Sequence, residues 1–286
     1  MPNYAVTIEN LTVHYPLATE PAIKNINLRI KKGEFVGVIG PCLAGKTTLL
    51  LCLNGIIPHI QKATMQGRVL VLGMDTREND VSEMAKKIGI VLDDPEPQLS
   101  QLTVEEEVAF GLQNLGVPRE EMMNRVKEAL DFVGLTGLEK RAPIDLSGGQ
   151  QQRLSIASVL AMHPEILVMD EPTSNLDPRG KQEVISVVRK LNRERGITVI
   201  VSEQEVETLA EFADRIVFMY NGEMVDCGTP EDVFSHVELL KRASVRPPQV
   251  TELSYMIKQN MRWPYKQLAI TLKDAHNKIG KLFDLR

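Results

Sequence analysis

Residues 40–47 read Gly40-Pro41-Cys42-Leu43-Ala44-Gly45-Lys46-Thr47, two glycines set around one lysine and one hydroxyl. Glycines there let the backbone wrap so that successive N–H groups point at the oxygens of an anion, and a helix starting at once adds its N-terminal field. In that pattern the Lys46 ammonium reaches the β- and γ-phosphates of a nucleotide and the Thr47 hydroxyl ligates magnesium. A match to so short a string means little by itself. Its setting gives it weight: the buried-strand run Phe35-Val36-Gly37-Val38-Ile39 stands before it, and an apolar helix from Thr47 to Leu53 follows. Leu43 takes a place where many such loops have a third glycine, which predicts a stiffer loop.

Two further strings carry chemistry. Ile166-Leu167-Val168-Met169-Asp170-Glu171 is an apolar strand that ends in two acids. Two acids after a strand are usually caps or solvated ends. Opposite a phosphate loop, Asp170 is placed to hold magnesium through water and Glu171 to polarise an attacking water as general base. Leu146-Ser147-Gly148-Gly149-Gln150 precedes a helical run at 151–157. Ser147 has the chemistry of an N-cap, and the glycines expose N–H groups that make either a simple capping turn or a second anion site.

The elements that must position these residues alternate. Tyr4 to Ile8, Leu11 to Tyr15 and Ala22 to Ile30 read as strands broken by Pro16 and Pro21, the look of an antiparallel sheet edge. Glu165 to Met169, Ile197 to Val201 and Arg215 to Tyr220 read as further strands. Strands interleaved with helices argue for a mainly parallel sheet covered on both faces. Val104 to Gly134 reads as helical, with Glu105, Glu106 and Glu107 at one helix start and Val126, Ala129, Leu130 and Val133 at helical spacing in the next. After Pro230 the pattern weakens, and Thr251 to Arg286 reads as a small helical tail beyond the break at Arg246-Pro247-Pro248.

The chain has 286 residues, 43% hydrophobic and 25% charged, with net charge −5. That suits one large α/β domain with an appendage. No basic run is long enough for a nucleic-acid stripe, so no nucleic-acid partner is expected. Cys42, Cys52 and Cys227 are too scattered for a disulfide framework or a zinc site, and read as reduced structural thiols. No stretch approaches the roughly 18 to 20 apolar residues of a membrane-spanning helix. The N-terminal decapeptide lacks the basic and apolar regions of a signal peptide. A role at a membrane therefore requires docking onto a partner that spans it.

With the phosphate loop, the two acids and the Leu-Ser-Gly-Gly-Gln string in this order, the chain resembles the ATP-binding cassette (ABC) superfamily over about residues 3–235. The resemblance implies a P-loop NTPase fold: an ABC-type nucleotide-binding domain with an antiparallel β subdomain, a mainly parallel core sheet and an α-helical subdomain inserted at about 95–150. The domain would span 1–235, with 236–286 as a small helical tail. It implies ATP and Mg2+ as ligands, contacts to nucleotide from Gly40 through Thr48, and an aromatic, Tyr15, stacked on adenine or packed in its strand. Ser174-Asn175-Leu176-Asp177 resembles the D-loop. Two such cassettes form a head-to-tail sandwich in which Ser147, Gly148, Gly149 and Gln150 of one close on the γ-phosphate at the other's P-loop.

Within the superfamily, Asp94-Pro95-Glu96-Pro97-Gln98-Leu99, the run Thr103 to Gly116 and Arg246 to Leu253 resemble the energy-coupling-factor (ECF) transporter ATPases, which drive uptake of vitamins and metal ions. That implies a second ATPase chain, a transmembrane coupling subunit seated near 98–111, a substrate-binding membrane subunit, and a place at the cytoplasmic face of the membrane. Two residues depart from the family. Asp93 stands where glutamine is usual beside the magnesium, and Gln204 stands where histidine usually reaches the γ-phosphate. Asp93 still offers a magnesium ligand, while Gln204 hydrogen-bonds a phosphate without carrying an imidazole's charge. Two readings stay open: a slow site in an asymmetric dimer, or a site kept fully active by Glu171. A non-transport cassette clamping on nucleic acid or a ribosome, and a weakly hydrolytic regulatory cassette, are the alternatives in other classes.

Overall fold

The computed structural model describes residues 4–261 and 263–282. Residues 1–3, 262 and 283–286, at the ends of the expected domain and in the expected tail, lie outside the described residues. The strands are β1 (Tyr4–His14), β2 (Ile23–Lys31), β3 (Phe35–Ile39), β4 (Thr64–Val71), β5 (Met74–Asp75), β6 (Ile88–Val91), β7 (Ile166–Asp170), β8 (Thr198–Ser202), β9 (Arg215–Tyr220) and β10 (Glu223–Gly228). They form an antiparallel sheet in the order β2-β1-β4-β5 and a second sheet in the order β10-β9-β3-β8-β7-β6. The second is parallel except for β10, which pairs antiparallel with β9. The α/β class with one antiparallel and one mainly parallel sheet is as the sequence implies.

β3, β7 and β8 are buried along their whole length, which is why they read as continuous apolar runs. Their alternate residues enter two cores. Phe35, Ile39, Leu167, Met169, Val199 and Val201 face a core shared with the helices Val104–Asn114, Arg119–Phe132, Gly148–Ala161 and Pro178–Arg195. Val36, Val38, Ile166, Val168 and Ile200 face the antiparallel sheet and the helix Lys46–Leu53. A strand set that is clamped on both faces fixes where its carboxyl ends stand, and those ends carry the site.

Several elements differ from the sequence reading for identifiable reasons. β1 is one strand rather than two, because Asn10 takes a left-handed φ of 50° and a register shift between Ile8 and Leu11 absorbs the irregularity as a bulge. β4, β5, β6 and β10 escape the reading: β5 has two residues, β6 has four, and β4 carries Gly67. The signature helix starts at Gly148, not 151, because Ser147 caps it. The tail is two helices, Gln249–Asn260 and Leu272–Leu282, preceded by short helices at Pro230–Ser235 and Val237–Arg242. Leu240, Ala243, Val245 and Ile270 join the first core, so this part of the chain packs onto the sheet-bearing body.

The helix Val104–Asn114 begins with a capping box. Thr103 Oγ1 accepts from the Glu106 N–H at 3.3 Å, and the Glu106 carboxylate accepts from the Thr103 N–H at 3.0 Å. Thr103→Ala removes the first bond and is expected to lower stability by about 1 kcal/mol, read as a shift in the urea midpoint with an unchanged slope.

Candidate active site

The P-loop leaves the carboxyl end of β3, at the centre of its sheet between β8 and β9. β3 stands out of chain sequence between its neighbours, and the crevice opens beyond the carboxyl ends of the strands there. Gly45 has φ 96°, and a Cβ there would stand 2.6 Å from the Ala22 carbonyl oxygen. Glycine is thus required on two counts, conformation and close approach. Leu43 holds φ 64° without being glycine and is 99% exposed, a strained, solvent-facing residue in the loop expected from sequence to be stiff.

A cleft of about 450 Å3 is lined by Tyr15, the stretch Cys42 to Thr48, Asp93, Asp170, Glu171 and Gln204. With Ala22, which also lines the cleft, residues from six separate places in the sequence thus meet. Gly40 and Pro41 stand behind the lip, and their carbonyls accept from Lys46 Nζ at 2.9 and 3.1 Å. Lys46 is buried, and its ammonium lies 3.4 Å from Glu171 Oε1. Gln204 Nε2 donates to Glu171 Oε2 at 2.6 Å. The expected base is therefore held between a cation and an amide, both within reach of the cleft. Tyr15 is half-buried, and its hydroxyl pairs with Thr48 Oγ1 at 3.1 Å, so its ring both packs on the second core and lines the cleft. Asp93 is exposed on the rim. Cys42 is exposed as well, which corrects its reading as a structural thiol. Cys52 fits that reading: burial pushes its thiol up to about 12.

Sequence reasoning missed Ser202. It pairs with Asp170 in the β7–β8 register. Its hydroxyl donates to Asp170 Oδ1 and accepts from the Glu171 N–H at 3.0 Å, while its carbonyl accepts from the same N–H at 3.0 Å. Glu171 keeps a left-handed φ of 45° under these bonds. One buried serine thus fixes both acids. No signal short of the strand register could have shown it.

The oxygen chemistry fits magnesium. The Thr47 hydroxyl and the Asp170 and Asp93 carboxylates are hard oxygen donors in one cleft. Among the described residues no group of three or more His, Cys, Asp or Glu could hold a metal alone, as suits an ion bound by one or two carboxylates together with substrate phosphates.

Ser147, Gly148, Gly149 and Gln150 line a different cleft of about 510 Å3, with Asn175, Leu176 and Asp177. The two clefts share no lining residue. Ser147 Oγ accepts from the Gln150 N–H at 3.4 Å and Gln150 Oε1 accepts from the Ser147 N–H at 2.9 Å, a second capping box. Gly149 packs against Gly180 so closely that a Cβ would come within 3.1 Å of its Cα. This brings the start of the signature helix against the start of the helix that follows the D-loop.

Comparison with known proteins places these features. A family profile described as ABC transporter matches residues 23–174. An ABC transporter ATP-binding protein of Pyrococcus abyssi is 47% identical over 254 residues, 89% of this chain and 91% of its own length. The energy-coupling factor transporter ATP-binding protein EcfA of Methanothermobacter thermautotrophicus is 43% identical over 87% of this chain and 78% of its own. Among solved structures, CbiO1 of Clostridium perfringens, part of the ABC transporter complex CbiONQ, superposes with a TM-score of 0.74 at 30% identity, covering 90% of this chain and 99% of that one.

Ser202→Ala leaves a buried Asp170 oxygen without its donor, a loss of roughly 1–3 kcal/mol, and frees the Glu171 backbone on one side. The expected outcome is a lower denaturation midpoint together with phosphate release from ATP slowed at least about tenfold, a fall of about 1.4 kcal/mol in transition-state stabilisation.

Proposed function

The chain belongs to the ABC transporter family of ATP-binding proteins, and on that premise we propose that it is the ATPase of an ECF-type importer, coupling ATP-driven closure of a cassette pair to uptake of a vitamin or metal ion. Members of the family are ATPase subunits of transporters and work as dimers. The ECF assignment rests on one observation above others. The likeness to CbiO1 leaves about a tenth of the 286 residues unmatched, fewer than the 51 that follow residue 235. The match therefore extends into the tail. We take the cassette to run to about residue 235 with the helical subdomain inserted near 95–150, and the tail as a small helical appendage.

In this reading Tyr15 stacks on adenine, the backbone from Gly40 to Thr48 cradles the phosphates, and Lys46 exchanges Glu171 and the Gly40 and Pro41 carbonyls for phosphate oxygens. Thr47, Asp170 and Asp93 would hold Mg2+, which would supply positive charge against the nucleotide phosphates. Glu171 orients and deprotonates the attacking water, and Gln204 passes from Glu171 to the γ-phosphate. The separation of the two clefts supports pairing: a signature that cannot face its own P-loop serves a second ATPase chain. Among the described residues no helix is long and apolar enough to cross a membrane. The subunit accordingly docks on a transmembrane coupling subunit, with a substrate-binding membrane subunit beside it, at the cytoplasmic face.

Glu171→Gln is expected to keep nucleotide binding and cut phosphate release at least about a hundredfold, or roughly 2.7 kcal/mol. The tagged wild-type chain is expected to co-purify with a polytopic membrane protein and a second cassette. Retained hydrolysis in Glu171→Gln would remove this residue from the mechanism. Recovery of ribosomes or nucleic acid in place of membrane partners would end the importer reading. The same substitution in the partner cassette separates the two fates of this site: equal losses from the two chains exclude a slow site here.

A further inference from the structure

Glu203 is a buried acid that the hydrolytic machinery described above does not use. It follows β8 directly, is 3% exposed, and donates its N–H to the Val38 carbonyl of β3 at 3.2 Å. Its Oε1 accepts from Thr173 Oγ1 at 2.8 Å, and Thr173 is also buried, at 4% exposure. Thr173 lies two residues beyond Glu171 and at the entrance to the D-loop. Gln204, the next residue after Glu203, donates to Glu171. Two side-chain links therefore join the same two segments, Gln204 to Glu171 at the cleft and Glu203 to Thr173 beneath it.

We propose that Glu203 is a positioning residue whose carboxyl ties the D-loop entrance to the Gln204 segment, and whose uptake of a proton accompanies binding of the magnesium nucleotide. The inference rests on reading the P-loop cleft as this chain's own nucleotide site. Burial pushes the Glu203 carboxyl up to about 7 against the lowering effect of the Thr173 hydrogen bond, with Glu171 and Glu205 adding to the rise. Its charge therefore changes near neutrality rather than near the ordinary carboxylate range.

The charged groups around it set the sign. Glu171 acts on it from just beyond β7, and Lys46 from the P-loop helix is paired with Glu171. On its own segment Glu205 is paired with Lys181 of the helix Pro178–Arg195. Ionised Glu203 places another buried negative charge beside this acidic group, and a magnesium nucleotide adds more negative charge to the same cleft. Nucleotide then raises the proton affinity of Glu203, and by reciprocity the proton raises nucleotide affinity by the same factor. Neutral Glu203 is the competent form. Affinity is highest below pH 7 and falls as pH rises through about 7.

The stability term has the same direction. The folded carboxyl binds its proton more tightly than the unfolded one. Its contribution is full below the ordinary carboxylate value, near 4.5, and is lost as pH rises through about 7.

The test is calorimetric titration of the full chain with magnesium and a non-hydrolysable ATP analogue at about pH 7.5, in PIPES and in Tris, whose ionisation heats differ. The wild type should take up a fraction of a proton on binding and Glu203→Gln none. Across pH 6–8.5 the wild-type KM for ATP should rise up to about tenfold, the equivalent of one unit of coupling, while Glu203→Gln stays flat at the low-pH value. Above pH 7 its Tm should exceed that of the wild type. Thr173→Val should keep the proton uptake and lower kcat several-fold, since it cuts the tie and not the titrating group. Binding without proton uptake in the wild type, or equal uptake in Glu203→Gln, overturns the proposal while leaving the nucleotide site intact. Absence of binding overturns both. Should Glu203→Gln fail to fold, the two-buffer titration of the wild type still decides.

Discussion

One buried ammonium organises this molecule. Lys46 sits inside the protein among the Gly40 and Pro41 carbonyls and the Glu171 carboxylate. A buried cation is tolerable only when its three donors are met and its charge is balanced. Meeting them forces the P-loop to curl back over its own lysine and brings the end of β7 to the end of β3, although β8 lies between the two strands. Glu171 reaches across with a left-handed backbone, and Ser202 on the intervening strand holds that backbone in place. On the proposed reading a polyphosphate offers Lys46 better acceptors than two carbonyls and one carboxylate, so nucleotide would replace the contacts that stabilise the chain at rest.

What was legible in the sequence follows from where the chemistry lies along it. The P-loop works through consecutive backbone amides, so its whole machinery is one string and can be read as one. The acids 170 and 171 end a strand whose unbroken apolar run announces burial on both faces. Ser202 and Glu203 act only through register and burial: Asp170 opposite Ser202, Thr173 against Glu203. Neither pairing has a sequence spacing, since the partners lie 32 and 30 positions apart and the path of helix, loop and strand between them sets the contact. β1 shows the converse. It reads as two strands, 4–8 and 11–15, and the sheet joins them by pairing both halves with β2 and β4.

The two clefts answer a different constraint. The signature helix must present free N–H groups at its start, and Ser147 and Gln150 occupy some of them in a capping box. Gly149 packs against Gly180, which sets this helix start against the helix after the D-loop. That pair of helix starts is distant in sequence and in lining from the P-loop. On the proposed reading a single chain holds two incomplete halves, each completed by the complementary half of another cassette. Pairing is in this sense a consequence of the internal packing.

The departures from the usual cassette pattern bear on the same balance of charge. Gln204 in place of a titratable ring leaves the γ-phosphate side of the site with an amide, which hydrogen-bonds but holds no proton. One residue earlier, Glu203 brings a group that does change charge near neutrality, placed below the cleft and tied to the D-loop entrance. The proton-sensitive element has thus moved from the rim to the layer behind it. There it acts on Glu171 through the two cross-links and through the local field, and its connection to Thr173 extends that influence toward the segment that faces a partner cassette. Asp93 adds a further acid to the lining of the cleft, where a magnesium ion would offset its charge. The acids Asp93, Asp170 and Glu171 line the cleft with negative charge, and on the proposed reading a proton on Glu203 relieves part of the repulsion that an anionic nucleotide would otherwise meet.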